Sequence, residues 1–589
     1  MGRMFEVGMR YRWRLPESSD ATAQEAATLA RQLGVPSLVA DLLCRRGLTD
    51  PAVANQFIEP KLTDLHDPAD LPGADQAARR IDRAARDGQP IIIYGDYDAD
   101  GITAGAILWH VLSAAGANVR CYVPHRIDEG YGLHSRSLEL LARSSSNAPL
   151  IVSVDCGITA VEPARAARAM GLELIVTDHH ELPPGELPEA SLLVHPRLKG
   201  STYPFGYLCG AGVAFKLAWQ FAKVHCGSDR VPDVFRDLLL DLLSLAALGT
   251  VADVVPLVDE NRVITAYGIG QIKRTRFAGL NALIDAAHLR EHKIEAYHLG
   301  FALGPRINAC GRMGHADQAV RLLTDATESE SAEIATFLNS ENERRRAIEG
   351  EIFDDARQMV LDLGHDRDDC RAIVLERAGW HPGVLGIVAS RLVDKFARPV
   401  VLLNVDNGEA HGSARSVEGV AIHEAIASCG DLLNSFGGHA MAAGLRLDAR
   451  KVGAFRSRFT DHVNALLGLD DLVHTIQIDG ASSLEELDVA LLEQIERLAP
   501  FGRGNPSPVL CLRRARLESS PQRVGREGRH LRLILKQGRR TIGGIGFGFG
   551  DLADRLAAGM HLDVVFQPKL STWGGQVRAE CHVKDVKLA

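Results

Sequence analysis

No Cys-x-x-Cys pair occurs among the ten cysteines, which are scattered from Cys44 to Cys581. That spacing offers no compact disulfide framework, and it suits a reducing, cytoplasmic setting. An excess of positive charge is also lacking. The formal net charge is −9, which argues against a chain coated throughout for a polyanion. No long apolar run is present either. The most apolar stretch, 238–255, is interrupted by Asp241 and Asp253 and reads as a buried helix, so no membrane partner is expected. The opening Met1-Gly-Arg-Met-Phe-Glu-Val has no apolar core of the kind a secretory signal needs. What remains is an ordinary globular composition over 589 residues, long enough for about four domains.

The rest of the chain is organised around Pro90-Ile-Ile-Ile-Tyr94-Gly-Asp96-Tyr-Asp98-Ala-Asp100-Gly101. An apolar run of strand length breaks into three carboxylates within five residues. Like charges this close repel unless a cation neutralises them, and hard divalent ions with oxygen ligands do that best. An acidic turn is the plain alternative. A calcium loop of the EF-hand type needs a bidentate Glu at its twelfth position, and that position is Ile107.

The pattern recurs. Leu150-Ile-Val-Ser-Val ends in Asp155, and Leu172-Glu-Leu-Ile-Val-Thr ends in Asp178-His179-His180. A helical pattern over 160–170 lies between them, so the segment reads as strand, helix, strand in a parallel sheet. Ligands of such sheets bind at the carboxyl ends of the strands. Asp98, Asp100, Asp155, His179 and His180 are therefore expected on one edge, although each alone could be a capping Asp or a core His. Asp253 adds one carboxylate to an apolar run, where burial without a cation or strong donors is costly.

These four motifs, Asp96 to Gly101, Val-Asp155-Cys-Gly, Asp178-His179-His180 and Ala-Asp253-Val-Val-Pro, resemble those of the DHH phosphoesterase superfamily. Over almost its whole length the chain is similar to the RecJ family of single-strand exonucleases. The resemblance implies two metal ions, with Asp155 bridging them, Asp98 on the first, and Asp100, His179 and Asp253 on the second. It implies that His180 contacts the phosphate or tunes the ligands and that Asp96 and Asp178 orient the others, and His439 could contact the scissile phosphate. Carboxylate and imidazole ligands together favour Mn²⁺, with Mg²⁺ as substitute. Some superfamily members carry a histidine ligand where this chain has Tyr94, which leaves the first ion fewer ligands.

The expected fold class is α/β: a parallel-sheet DHH domain, a connecting helix, a DHHA1 α/β domain and a C-terminal OB-fold barrel. Residues 1–75 read as a helical segment without assignable chemistry, followed by the DHH domain (76–320), a connecting helix (321–365) and the DHHA1 domain (366–466). Strand-like runs 509–512, 530–535, 541–547 and 562–568 then suggest a small barrel in 467–589. Between 501 and 540, eleven Lys or Arg face two Glu, a local footprint for nucleic acid. Aromatics there are sparse, chiefly Phe547, Phe549, Phe566 and Trp573, so backbone electrostatics should outweigh stacking.

Several residues are candidates for phosphate. Arg126 could make paired hydrogen bonds from its loop or be merely solvated. Arg306, Asn308 and Arg312 suit a loop around a phosphate backbone, or a turn with surface arginines. Gly210 and Gly212 open a helix, for phosphate or for close packing. Ser413, Arg415 and the backbone near Gly438 could make an anion pocket for a 5′ phosphate, and His439 could equally be a core or capping residue. Taken with the resemblance, these features imply a single-stranded-DNA-specific 5′→3′ exonuclease of DNA repair and recombination that releases 5′-mononucleotides. A monomer meeting a single-strand binding protein and a helicase is the family expectation. The rivals are a phosphoesterase of short oligonucleotides or cyclic dinucleotides and a non-catalytic DNA-binding scaffold of the same fold.

Overall fold

The computed structural model describes residues 5–17, 20–125, 129–130, 132–143, 147–573 and 575–589. The chain forms two units, and their boundaries do not follow sequence order. One comprises Ala52–Glu343 with Arg497–Ser507; the other comprises Met1–Pro51, Arg344–Glu496 and Pro508–Ala589. The helix Glu328–Asp362 runs through the boundary.

The first unit is built on a five-stranded parallel sheet, in the order Val119–Tyr122, Ile91–Gly95, Leu150–Val154, Glu173–Thr177, Leu192–Val194. Its central strands are apolar without alternation because helices cover both faces. Ile91 and Ile93 join the cluster formed with the helices Ala99–Ala114, Gly210–Cys226 and Asp233–Ala252. Ile92 and Tyr94 face the opposite way, toward Leu138, Leu141, Ala164 and Ala167. Register does the rest: Gly95 lies opposite Val154, and Val154 opposite Thr177. The residues that follow, Asp96, Asp155 and Asp178, therefore emerge at one edge.

The second unit holds a mixed five-stranded sheet, in the order Leu433–Gly438, Ala442–Asp448, Glu409–Arg415, Val400–Asp406, Ile373–Arg377. It also holds a seven-stranded sheet that closes on itself, because Leu510–Leu517 pairs with His561–Trp573 and also with His530–Gln537. The expected barrel strands are present, and Gln522–Val524 and Gln576–Leu588, which have no counterpart in the sequence reading, complete them.

Two expectations are corrected. The opening residues are not helical: Phe5–Val7 and Arg12–Arg14 pair as a hairpin, and the second strand pairs with Thr475–Gln477. Trp13 is fully buried there, and its Nε1 donates to Asp585 Oδ2 at 2.8 Å. Helices begin only at Asp20. The segment around Arg306 is the helix Gly304–Met313 rather than a loop, since Pro305 occupies a first-turn position where proline is tolerated.

Candidate metal centre

The helix Ala99–Ala114 begins where the first motif needs it. Asp98 caps it, its carboxylate accepting from Asp100 N at 2.9 Å and Gly101 N at 3.0 Å. Asp100 then turns toward a second helix start and accepts from Gly210 N at 2.6 Å and Ala211 N at 2.8 Å. The Gly210 opening thus serves both close packing and anion binding, but the anion is the chain's own carboxylate. Glycine is required there, because a Cβ at 210 would stand 2.5 Å from Asp155 Cβ.

Asp155 leaves its strand with φ +59°, and Val254, beside Asp253, has φ +59° as well. Non-glycine residues rarely adopt this conformation, least of all β-branched ones. The strain falls on the two turns that aim the carboxylates. Asp178 holds the DHH turn from inside: it accepts from Ile158 N, His179 N, His180 N and, at 2.8 Å, His180 Nδ1. The turn is tied from outside by two residues that sequence reading missed. His195 Nε2 lies 2.9 Å from His180 O, and Arg197 Nη2 donates to His179 O at 2.7 Å. Neither carries a local pattern; only the tertiary structure brings them to the turn.

The ligand atoms converge. His179 Nε2 stands 3.1 Å from Asp155 Oδ1, 3.6 Å from Asp253 Oδ2 and 3.7 Å from Asp100 Oδ2. Three overlapping groups have metal-ligand spacing: Asp96, Asp98 and Asp155; Asp100, His179 and Asp253; Asp155, His179 and His180. Asp155 belongs to two of them, the position of a bridging ligand. Tyr94 joins none, its hydroxyl donating to Gly132 O at 3.0 Å.

The electrostatics call for a cation. Burial, then repulsion from Asp100, Asp98, Asp96 and Asp253, pushes the Asp155 carboxyl well above its ordinary range. Burial and Asp98 raise Asp100 against the pull of His179. Burial, Asp100 and Asp98 take Asp253 up to about 8, while His180 and Arg503 act in the other direction. Burial pushes His179 down, which keeps the imidazole neutral and able to ligate. His180 is different: burial is outweighed by its Asp178 partner, and it rises to about 9, while Asp178 falls to about 2 despite its own burial. Asp155 Oδ1 and His179 Nε2 are buried and make no hydrogen bond, although they face each other. Carboxylates and neutral imidazole around two unsatisfied buried atoms fit Mn²⁺ or Mg²⁺.

The other candidates divide. Arg126 lies outside the described residues, as does the side chain of Trp573. Arg306 is buried and donates to Asn339 Oδ1 at 3.0 Å and Ala302 O at 2.7 Å. Asn308 Oδ1 accepts from Ala99 N at 2.7 Å. Both thus make hydrogen bonds within the protein from a helix rather than a loop, and Arg312, on the same helix, is half-buried. In the second unit Arg415 Nη1 donates to Ser413 Oγ at 2.9 Å, so these two side chains lie together. Gly438 ends its strand, and His439 is exposed rather than a core residue, its backbone N donating to Ala442 O at 2.8 Å. Phe549 and Phe566 are barrel core, which leaves Phe547 exposed.

Comparison with known proteins adds a lineage to this geometry. The family models "DHH family, N-terminal domain", "DHHA1 domain" and "RecJ OB domain" match residues 90–250, 369–465 and 478–585. The single-stranded-DNA-specific exonuclease RecJ of Bacillus subtilis is 36% identical over 585 residues, covering 99% of this chain and 72% of its own. The Escherichia coli protein of that name is 34% identical over 554 residues, 92% of each chain. The crystal structure of RecJ in complex with Mn²⁺ from Thermus thermophilus matches with TM-score 0.81 at 31% identity, covering 98% of this chain and 79% of that one. The Mg²⁺ complex matches at 0.76.

Proposed function

Because this chain belongs to the RecJ family of single-stranded-DNA-specific exonucleases, we propose that it degrades single-stranded DNA from a 5′ end and releases mononucleotides. It is a metal-dependent exodeoxyribonuclease. The observation that carries this reading is the convergence of Asp100, Asp155 and Asp253 on His179 Nε2. Asp96, Asp98 and Asp155 would hold one ion, and Asp100, Asp155, His179 and Asp253 the other. Bound Mn²⁺ or Mg²⁺ supplies Lewis acidity, which eases deprotonation of water and offsets charge on the phosphate.

The chain's own groups do the positioning. Asp178 fixes the DHH turn and orients His180 through its Nδ1, leaving that imidazole to contact the phosphate or tune the ligands. The amides of Gly210 and Ala211 hold Asp100 in one orientation. Ser413 and Arg415 are our candidates for the terminal 5′ phosphate, and exposed His439 is a candidate for the scissile one. A cytoplasmic monomer that meets single-strand binding protein and a helicase belongs to the same proposal. Among the described residues no helix is long and apolar enough to cross a membrane.

The test is digestion of single-stranded DNA labelled at either end, with Mn²⁺ or EDTA, by wild type and Asp155→Ala. Metal-dependent release of 5′-mononucleotides, lost in the variant, supports the proposal. Cleavage confined to very short oligomers would favour an oligonucleotide phosphoesterase, and binding without cleavage would make the protein a scaffold.

A further inference from the structure

The eleven residues Arg497–Ser507 belong to the first unit, although their chain neighbours on both sides belong to the second. A buried arginine anchors them. Arg262 donates to Phe57 O at 2.7 Å, Leu498 O at 2.9 Å and Ala499 O at 2.8 Å, with its guanidinium over the Phe57 ring. The segment is also tied to itself, because buried Asn505 donates to Leu498 O at 2.8 Å and Pro500 O at 2.9 Å. Its tip packs on the fourth motif. Leu257 N donates to Arg503 O at 2.7 Å. Gly504, at φ +75°, leaves room for Pro256, which a Cβ there would approach to 3.0 Å.

From this held turn the Arg503 side chain projects beside the metal centre. Its Nη1 lies 3.4 Å from Val254 O, next to the Asp253 ligand, and the side chain is exposed. Arg503 has no ion pair among the described residues. Four of the eleven basic residues of the 501–540 stretch, Arg513, Arg523, Arg529 and Lys536, are paired with Glu6, Asp554, Glu527 and Glu518, and Arg503 is among those left for another anion. An exposed guanidinium on a braced turn, one residue from a ligand carboxylate, is preorganised for an anion. A nucleic-acid strand brings one anion per nucleotide to this position.

We propose that Arg503 binds a backbone phosphate of the single strand beside the metal centre, making it a substrate-binding residue supplied by the 497–507 segment. This rests on the single-strand exonuclease reading above. The test compares wild type, Arg503→Ala and Arg503→Lys on oligothymidylates with Mn²⁺, unmodified or carrying one neutral methylphosphonate at successive linkages. The expected result is a KM about tenfold higher for Arg503→Ala and a log KM against log salt slope smaller by about 0.7. Lysine should recover part of the loss, and a methylphosphonate at one particular linkage should erase the difference from wild type.

An unchanged salt slope with a shifted Mn²⁺ requirement would overturn the proposal, because Arg503 would then act only through Asp253. A persisting difference at every methylphosphonate position would overturn it too. Wild type inactive on single-stranded DNA would defeat the parent reading; wild type active and Arg503→Ala indistinguishable from it would defeat this inference alone.

Discussion

A single methyl group is enough to probe the centre. At position 210 it would meet Asp155, and the helix start cannot retreat without releasing Asp100 from its two amides. Gly210→Ala should therefore keep its circular-dichroism spectrum and lose activity by about 100-fold or more, since overpacking of about 1–3 kcal/mol is taken up by the ligands. Asp155→Asn should act in the opposite direction on stability. It removes one of several mutually repelling buried carboxylates, so in EDTA the variant should unfold at or above the wild-type temperature, by roughly 1–2 kcal/mol. With Mn²⁺ at a hundred times its Kd, wild type should gain about 2.7 kcal/mol and the variant little. Melting curves with and without the ion decide both points.

At the scale of elements, the helix Ala99–Ala114 carries its own acid sensitivity away from the ligands. His110 packs against Phe277 at 4.3 Å between ring centroids, with Nε2 2.8 Å from Leu323 O, and burial pushes it down to about 4. The unfolded chain takes up this proton near pH 6.5 and the folded chain does not. Stability should thus fall as pH drops from about 6.5 to about 4, by up to about 3 kcal/mol, and this loss should level off below that. Urea titrations across the window, with His110→Gln as the flattened control, measure it.

Elements also differ in how far sequence reveals them. The central strands of the parallel sheet are legible because burial on both faces writes them as unbroken apolar runs, and their ends carry the proposed ligands. The helix Gly304–Met313 reads as a loop because it opens with Gly304-Pro305 and carries Gly311, whose lack of a side chain lets it lie against Tyr97. The opening hairpin is illegible for another reason: three-residue strands have no period, and their partner is Thr475–Gln477. Phe549 and Phe566 look like stacking residues until closure of the barrel shows them to be its core. His195 has no local signature and meets the DHH turn only through a distant contact, whereas Arg503 is marked in the sequence only as one of eleven basic residues between 501 and 540.

For the whole molecule, a net charge of −9 means that a polyanion must be gripped by placed groups rather than by average attraction, and four of the eleven basic residues of the 501–540 stretch are already paired with carboxylates. The early residues serve that barrel. Trp13 and the backbone of Arg10 and Tyr11 all meet Asp585, so Trp13→Ala should destabilise the unit that contains it by about 3–5 kcal/mol. Hydrogen exchange should show faster exchange in Gln576–Leu588 while Ile91–Gly95 stays protected. Equal loss of protection in both strands would contradict that separation.

The turn that packs on the fourth metal motif has a consequence for biosynthesis. Arg503 and Val254 touch across 249 positions of chain. At roughly 5–20 residues per second, a ribosome needs about 10–50 s to travel from one to the other. Throughout that interval the nascent chain already displays every proposed metal ligand, yet the peptide that braces Asp253 and Val254 has not been made. The catalytic unit is thus finished by a late instalment of the message, after the DHHA1 sheet has been translated, and a nuclease assembled in this order leaves its centre incomplete for most of its own synthesis.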